Sequence, residues 1–124
     1  SVMMPFAPAL RPVYEELVRA CAELGLQCRR ADDIWDESEV IQDVFSLIWR
    51  SAVVICDFSE RNSNVFYETG IAHTLGKPVI PILQQRGDAP FDLKHHRYIE
   101  YRNSASGRAA LARKVGERLR TLLK

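Results

Sequence analysis

Asp57 closes the apolar run Val53-Val54-Ile55-Cys56, and Glu68 lies in the largely apolar segment that follows it. A carboxylate at a strand's carboxyl end and a second on the next helix are what glycosyl transfer through a covalent intermediate requires. One attacks the anomeric carbon, the other positions the sugar or the leaving group, and an oxocarbenium-like transition state lies between. Asn62 and Asn64 lie in the polar turn between the two acids. At helical spacing Asn64, Glu68, Ile71, Ala72 and Leu75 share a face whose last three members are apolar, so Glu68 begins a stripe that packs on a sheet. The same spacing admits a rotated face, with Glu68 solvated and favoured by the helix dipole. The dipole favours ionised Glu68 and burial opposes it.

Other residue types carry weaker signals. Met4-Pro5-Phe6 offers an apolar rim with one ring suited to stacking on a base, or equally a hydrophobic turn that caps the core. Trp35 fits the same stacking role, or that of a staple at the start of a helix. Arg29 and Arg30 suit a phosphate, or pairing with Asp32 and Asp33. His95 and His96 have no carboxylate or cysteine at ligand spacing, so no metal site is expected. Neither G-x-G-x-x-G nor G-x-x-x-x-G-K-[ST] occurs, which removes the main support for redox dinucleotide and P-loop chemistry, and no cofactor is expected.

The elements that must position these groups alternate. Apolar stretches at 2–4, 26–29, 53–56, 79–83 and 98–101 read as strands. The stretches 12–24, 36 to about 48, 65–76 and 107–123 read as helices. Gly25 and Gly76 stop two of them, and Asp36 with Glu39 reads as an N-cap pair. The buried stripes are Val13, Leu17, Cys21 and Leu24; then Val40, Ile41, Val44, Phe45 and Ile48; and last Leu111, Val115, Leu119 and Leu122. Alternation of strand and helix implies βαβ units and a parallel sheet covered on both faces. Five strands suggest a flavodoxin-like, Rossmann-like three-layer α/β sandwich of order 2-1-3-4-5. Its switch point brings the loop at 4–8 and the segment 57–68 together at the carboxyl ends of the strands, where ligands bind.

At 124 residues there is room for one domain over 1–124. A net charge of +1 gives no reason to expect a nucleic-acid or membrane-surface partner. No apolar run reaches membrane-spanning length and no signal peptide is seen. Cys21, Cys28 and Cys56 are odd in number and lack metal spacing, which suits reduced thiols in a cytoplasm. Cys56, inside an apolar strand, reads as inert core. Ser1 is followed at once by a strand, which suggests a piece cut from a longer protein.

The run Asn62-x-Asn64-Val65-Phe66-Tyr67-Glu68-x-Gly70-Ile71-Ala72-His73-x-x-Gly76-Lys77-Pro78 resembles the signature of the nucleoside 2-deoxyribosyltransferase-like superfamily, in particular its bacterial branch of nucleotide-binding, Toll/interleukin-receptor-like domains. The likeness extends to Met4-Pro5-Phe6, Arg30-Ala31-Asp32-Asp33, the Asp57 strand end, and Pro90-Phe91-Asp92-Leu93 with Arg97 and Tyr101. It implies a flavodoxin-like fold and cleavage or exchange of an N-glycosidic bond, with Glu68 as nucleophile and Asp57 holding sugar and leaving base. Met4, Pro5, Phe6, Arg30, Asp32, Trp35, Asn62, Asn64 and Asp92 are then the expected substrate contacts. It also implies a nucleotide or nucleoside ligand, NAD included, and a homodimer or higher oligomer. The deoxyribosyltransferases proper carry an Asp and a Gly-Thr pair ahead of the glutamate, where this chain has Asn62-Ser63-Asn64-Val65. An amide in place of the sugar-binding carboxylate weakens selectivity for 2-deoxyribose and favours hydrolysis over base exchange. The expectation is an N-glycosidase domain of a bacterial defence or signalling protein. Its rivals are a nucleotide sensor without turnover and a Toll/interleukin-receptor-like assembly scaffold.

Overall fold

The computed structural model describes residues 1–5, 7–30, 40–88 and 98–123, the side chains at 40–42 and 86 excepted. Four strands, β1 (Val2–Met3), β2 (Val54–Asp57), β3 (Val79–Leu83) and β4 (Ile99–Glu100), form one parallel sheet in the order β1-β2-β3-β4. Four α-helices accompany them: α1 (Arg11–Glu23), α2 (Val40–Arg50), α3 (Ser63–Thr74) and α4 (Ala105–Leu122).

The pleat divides the apolar residues between two cores, because successive side chains of a strand leave on opposite faces. Val2, Val53, Ile55, Ile80, Ile82 and Ile99 face α1 and α4, where Val13, Leu17, Leu111, Val115 and Leu119 meet them. Met3, Val54, Cys56 and Leu83 face α2 and α3, meeting Val44, Ile48, Val65 and Ala72. Each fully buried Ile or Leu contributes about 1.5–3 kcal/mol of transfer free energy, so helix, sheet and helix are held as three layers.

The sheet has one strand fewer than expected among the described residues. The stretch 26–29 does not form a strand; it meets β1 through a bond from Val2 N–H to the Arg29 carbonyl (2.8 Å) and one parallel bridge between Val2 and Arg30. With β1 only two residues long, there is little free edge for it to pair with. Other boundaries also differ. Phe45 is 46% exposed, because α2 centres its inner face on Val44 and Ile48 instead. Leu122 is exposed at the last turn of α4, beyond the core contacts of Leu119. Asp36 and Glu39 lie outside the described residues.

Both expected glycine stops close their helices. Gly25 (φ +73°) and Gly76 (φ +70°) take the left-handed conformation that side-chain-bearing residues resist. Leu26 N–H then bonds back to the Cys21 carbonyl and Lys77 N–H to the Ala72 carbonyl, both at 2.9 Å. The second of these turns sets the chain directly into β3.

Candidate active site

Asp57 ends β2 with its side chain completely buried. Its Oδ1 accepts from Ser59 N–H (2.8 Å), an Asx turn that starts the loop into α3, and its Oδ2 accepts from Tyr101 Oη–H (2.6 Å). Ser59 Oγ and Tyr101 Oη lie 3.3 Å apart, and Gln84 Nε2 donates to both at 3.2 and 3.3 Å. Burial pushes the Asp57 carboxyl upward, while the bonds from Ser59 and Tyr101 pull it back. Burial also raises the Tyr101 hydroxyl, with the charge of Asp57 adding to it. This network joins the ends of β2, β3 and β4. Ser59 and Gln84 carried no signal as single residues; the D-x-S spacing of an Asx turn would have marked Ser59, and Tyr101 was named only as the end of an expected strand and as part of the family likeness.

The loop that follows is strained. Glu60 (φ +66°) and Arg61 (φ +52°) are consecutive left-handed residues with full side chains, a conformation costing on the order of 1–2 kcal/mol each. Arg61 Nη1 donates to the Gly87 carbonyl, tying this loop to the one after β3. Asn62 then caps α3: its Oδ1 accepts from Asn64 N–H (2.9 Å) and Val65 N–H (3.3 Å). The cap starts the helix two residues before the expected position, so Glu68 belongs to its second turn rather than its first.

The buried face of α3 is Val65, Thr69 and Ala72, at i, i+4 and i+7. Glu68 flanks that face and is half-buried, neither sealed in the core nor fully solvated. No described residue donates a hydrogen bond or an ion pair to it. Burial pushes its carboxyl up to about 7. Next to it Thr69 hydroxyl donates to the Val65 carbonyl (2.8 Å) and also bonds the Cys56 thiol. Burial, with the charges of Glu68 and Asp57 adding, pushes that thiol up to about 12, so Cys56 is an inert core residue.

Asp57 and Glu68 therefore leave the same strand-turn-helix segment, and among the described residues no hydrogen bond joins them. The Asp57 side chain is bonded to Tyr101, a member of the α1/α4 core, whereas Glu68 flanks the face of α3 whose Val65 and Ala72 belong to the α2/α3 core. Of the expected substrate contacts, Met4 and Pro5 are buried, Met4 as part of the α1/α4 core. Arg30 is 4% exposed, its guanidinium 4.4 Å from the centre of the Tyr14 ring. Asn62 is the helix cap and Asn64 is exposed at the start of α3. Phe6, Asp32, Trp35 and Asp92 lie outside the described residues, as do His95 and His96. Among the described residues no cluster of His, Cys, Asp or Glu could hold a metal ion, and no helix is long and apolar enough to cross a membrane. Among the cavities that described residues form, two are well defined. One of about 580 Å³ lies at the amino ends of β1 and β2; another of about 940 Å³ lies between β4 and α4, with Gln84 and Tyr101 on its wall. Glu68 lines neither.

No family model matches the chain, and no curated protein matches its sequence. Among solved structures it is similar to a CMP N-glycosidase, BcmB, of Clostridium botulinum, with a TM-score of 0.67 and 16% identity over 93% of this chain and 97% of that one. It is also similar to the TIR domain of the Toll-related receptor TRR-2 of Hydra magnipapillata, with a TM-score of 0.70 and 21% identity over 99% of this chain and 98% of that one. At these identities the likeness is one of fold: an α/β domain with a parallel sheet, shared nearly end to end.

Proposed function

We propose that this domain hydrolyses the N-glycosidic bond of a nucleotide or nucleoside, NAD among the candidates, as a member of the nucleoside 2-deoxyribosyltransferase-like superfamily. The observation that carries the proposal is Glu68: a half-buried carboxylate without a partner among the described residues, on the helix that leaves the central strand, its pKa raised to about 7. A structural glutamate on a packed helix is ordinarily paired or fully solvated; one held half-desolvated and unpaired is poised to act on a ligand. The fold likeness to a CMP N-glycosidase supports the same chemistry.

Glu68 in its ionised form attacks C1′, the base departs with the electrons of the glycosidic bond and takes up a proton, and water cleaves the resulting ester. Asp57 has a different part. Enclosed and doubly bonded, it is a positioning residue that, with Ser59, Gln84 and Tyr101, anchors the strained turn from which α3 departs. Desolvation leaves Glu68 less stabilised as an anion and so a stronger nucleophile once ionised.

Incubation with CMP, other nucleotides and NAD, followed by chromatography, is expected to show a released base. Glu68→Gln should abolish the release, and kcat/KM should rise with pH through about 7 as Glu68 ionises. Equal inertness of wild type and Glu68→Gln toward the whole panel rejects the enzymatic reading. Binding that Glu68→Gln leaves intact, without product, favours a sensor.

A second reading, assembly in the manner of a Toll/interleukin-receptor-like scaffold, is supported by Phe45 and Trp49, which stand 46% and 59% exposed one turn apart on α2. Concentration-dependent association that Trp49→Lys weakens, with indifference to nucleotides, identifies that role.

A further inference from the structure

Away from Glu68, at the amino end of the sheet, two of the three cysteines meet. Cys21 is in the last turn of α1 and is buried; Cys28 is half-buried in the stretch leading to Arg30. The turn at Gly25 reverses the chain between them, fixed by the bonds from Gly25 N–H to the Ala22 carbonyl (3.0 Å) and from Leu26 N–H to the Cys21 carbonyl (2.9 Å). As a result the Cys21 and Cys28 thiols hydrogen-bond to one another. Both line the cavity of about 580 Å³, together with Ser1, Leu26 and Val53, so a small reagent reaches them although the core does not expose them.

We propose that Cys21 and Cys28 form a redox-active dithiol that closes to an intramolecular disulfide when a small hydroperoxide enters this cavity. Cys21 attacks, as thiolate, one oxygen of hydrogen peroxide. The O–O bond breaks, hydroxide leaves and takes up a proton as water, and Cys21 becomes a sulfenic acid. The Cys28 sulfur then attacks the Cys21 sulfur. The S–O bond breaks, and the departing hydroxide leaves as a second water with the Cys28 proton. Two thiols and one peroxide thus give one disulfide and two waters. The hydrogen bond from Cys28 draws the Cys21 thiol down to about 7 against the burial that pushes it up, which supplies the thiolate near neutral pH. Cys56 is the internal contrast: fully buried, bonded to Thr69 and pushed up to about 12, it has neither the access nor the ionisation to take part.

The product ties the end of α1 to the stretch that the sheet holds by one bridge at Arg30. Oxidation consequently acts at the edge of the sheet beside β1.

Trypsin makes the test direct, because cleavage after Arg19 and Arg29 places both thiols on one peptide, 20–29, while Cys56 falls on peptide 51–61. The folded protein is treated with hydrogen peroxide, unfolded, alkylated with iodoacetamide, digested and weighed. The expected result is a 20–29 peptide two hydrogens lighter and unalkylated, restored to two alkyl groups by dithiothreitol, beside a 51–61 peptide that carries its alkyl group throughout. Cys28→Ser should stop the reaction at a sulfenic acid on Cys21 that dimedone traps. Full alkylation of 20–29 at peroxide levels that already oxidise Cys56 or the methionines overturns the proposal. So does a disulfide that joins two chains instead of Cys21 to Cys28. The wild-type peptide masses decide the matter even where Cys28→Ser folds poorly.

Discussion

Glu68 and Asp57 leave one strand-turn-helix segment and meet opposite fates, and the difference is measurable. Burial raises the Glu68 carboxyl from its ordinary 4.5 to about 7. The folded state thus holds that proton more tightly than the unfolded one. The favourable contribution is complete below about 4.5 and lost as pH rises to about 7. The full shift corresponds to about 3 kcal/mol, which solvent at a half-buried group reduces to about 1–2 kcal/mol. Glu68→Gln should match wild type in thermal unfolding near pH 4 and melt several degrees higher at pH 8. A melting difference independent of pH would mean that Glu68 is solvated. Asp57 has the same sign of shift, with its two bonds opposing burial. Asp57→Asn keeps the Asx turn and a polar partner for Tyr101, and should cost under about 1 kcal/mol in denaturant unfolding. Asp57→Ala removes the acceptor of both the Tyr101 hydroxyl and the buried Ser59 amide, and should cost about 1–3 kcal/mol. Both acids were visible in the sequence by type and position. Their partners were not, because Tyr101 reaches Asp57 from the far end of the chain and only packing brings them together.

The element that presents Glu68 depends on a single side chain. Asn62 occupies two amides at the start of α3, so Asn62→Ala should lower stability by about 1 kcal/mol, and Asn62→Asp should retain most of it. Circular dichroism melts of the two variants test this. Nucleoside cleavage should fall with Asn62→Ala if the cap holds Glu68 in place. The helix as such was legible in its apolar spacing and in Gly76. Its start was not, since Asn62, Ser63 and Asn64 are each acceptable caps and sequence does not choose among them. The strand at 26–29 shows the converse. Its alternation resembles a strand, yet pairing depends on a neighbour with free backbone groups, and β1 offers only two residues.

Across the whole molecule, protection should follow the ladders. β2 and β3 pair over four residues between two cores, and their amides should be the slowest to exchange with deuterium. The stretch 26–30, held by one bridge, should exchange well before them. Equal protection of both would mean that a fifth strand forms in solution. The sequence by itself determined the alternation of strands and helices, the glycine stops, the two-sided burial of β2 and the residue types able to cleave a glycosidic bond. These are local matters of periodicity, conformational preference and chemistry. Only the tertiary structure decided that Asp57 is sealed against Tyr101, that Glu68 stands half-desolvated beside the buried face of α3, and that Cys21 meets Cys28 across a glycine turn. Burial and contact belong to groups distant in the chain, and desolvation, which sets the pKa of each, exists only once the layers have closed.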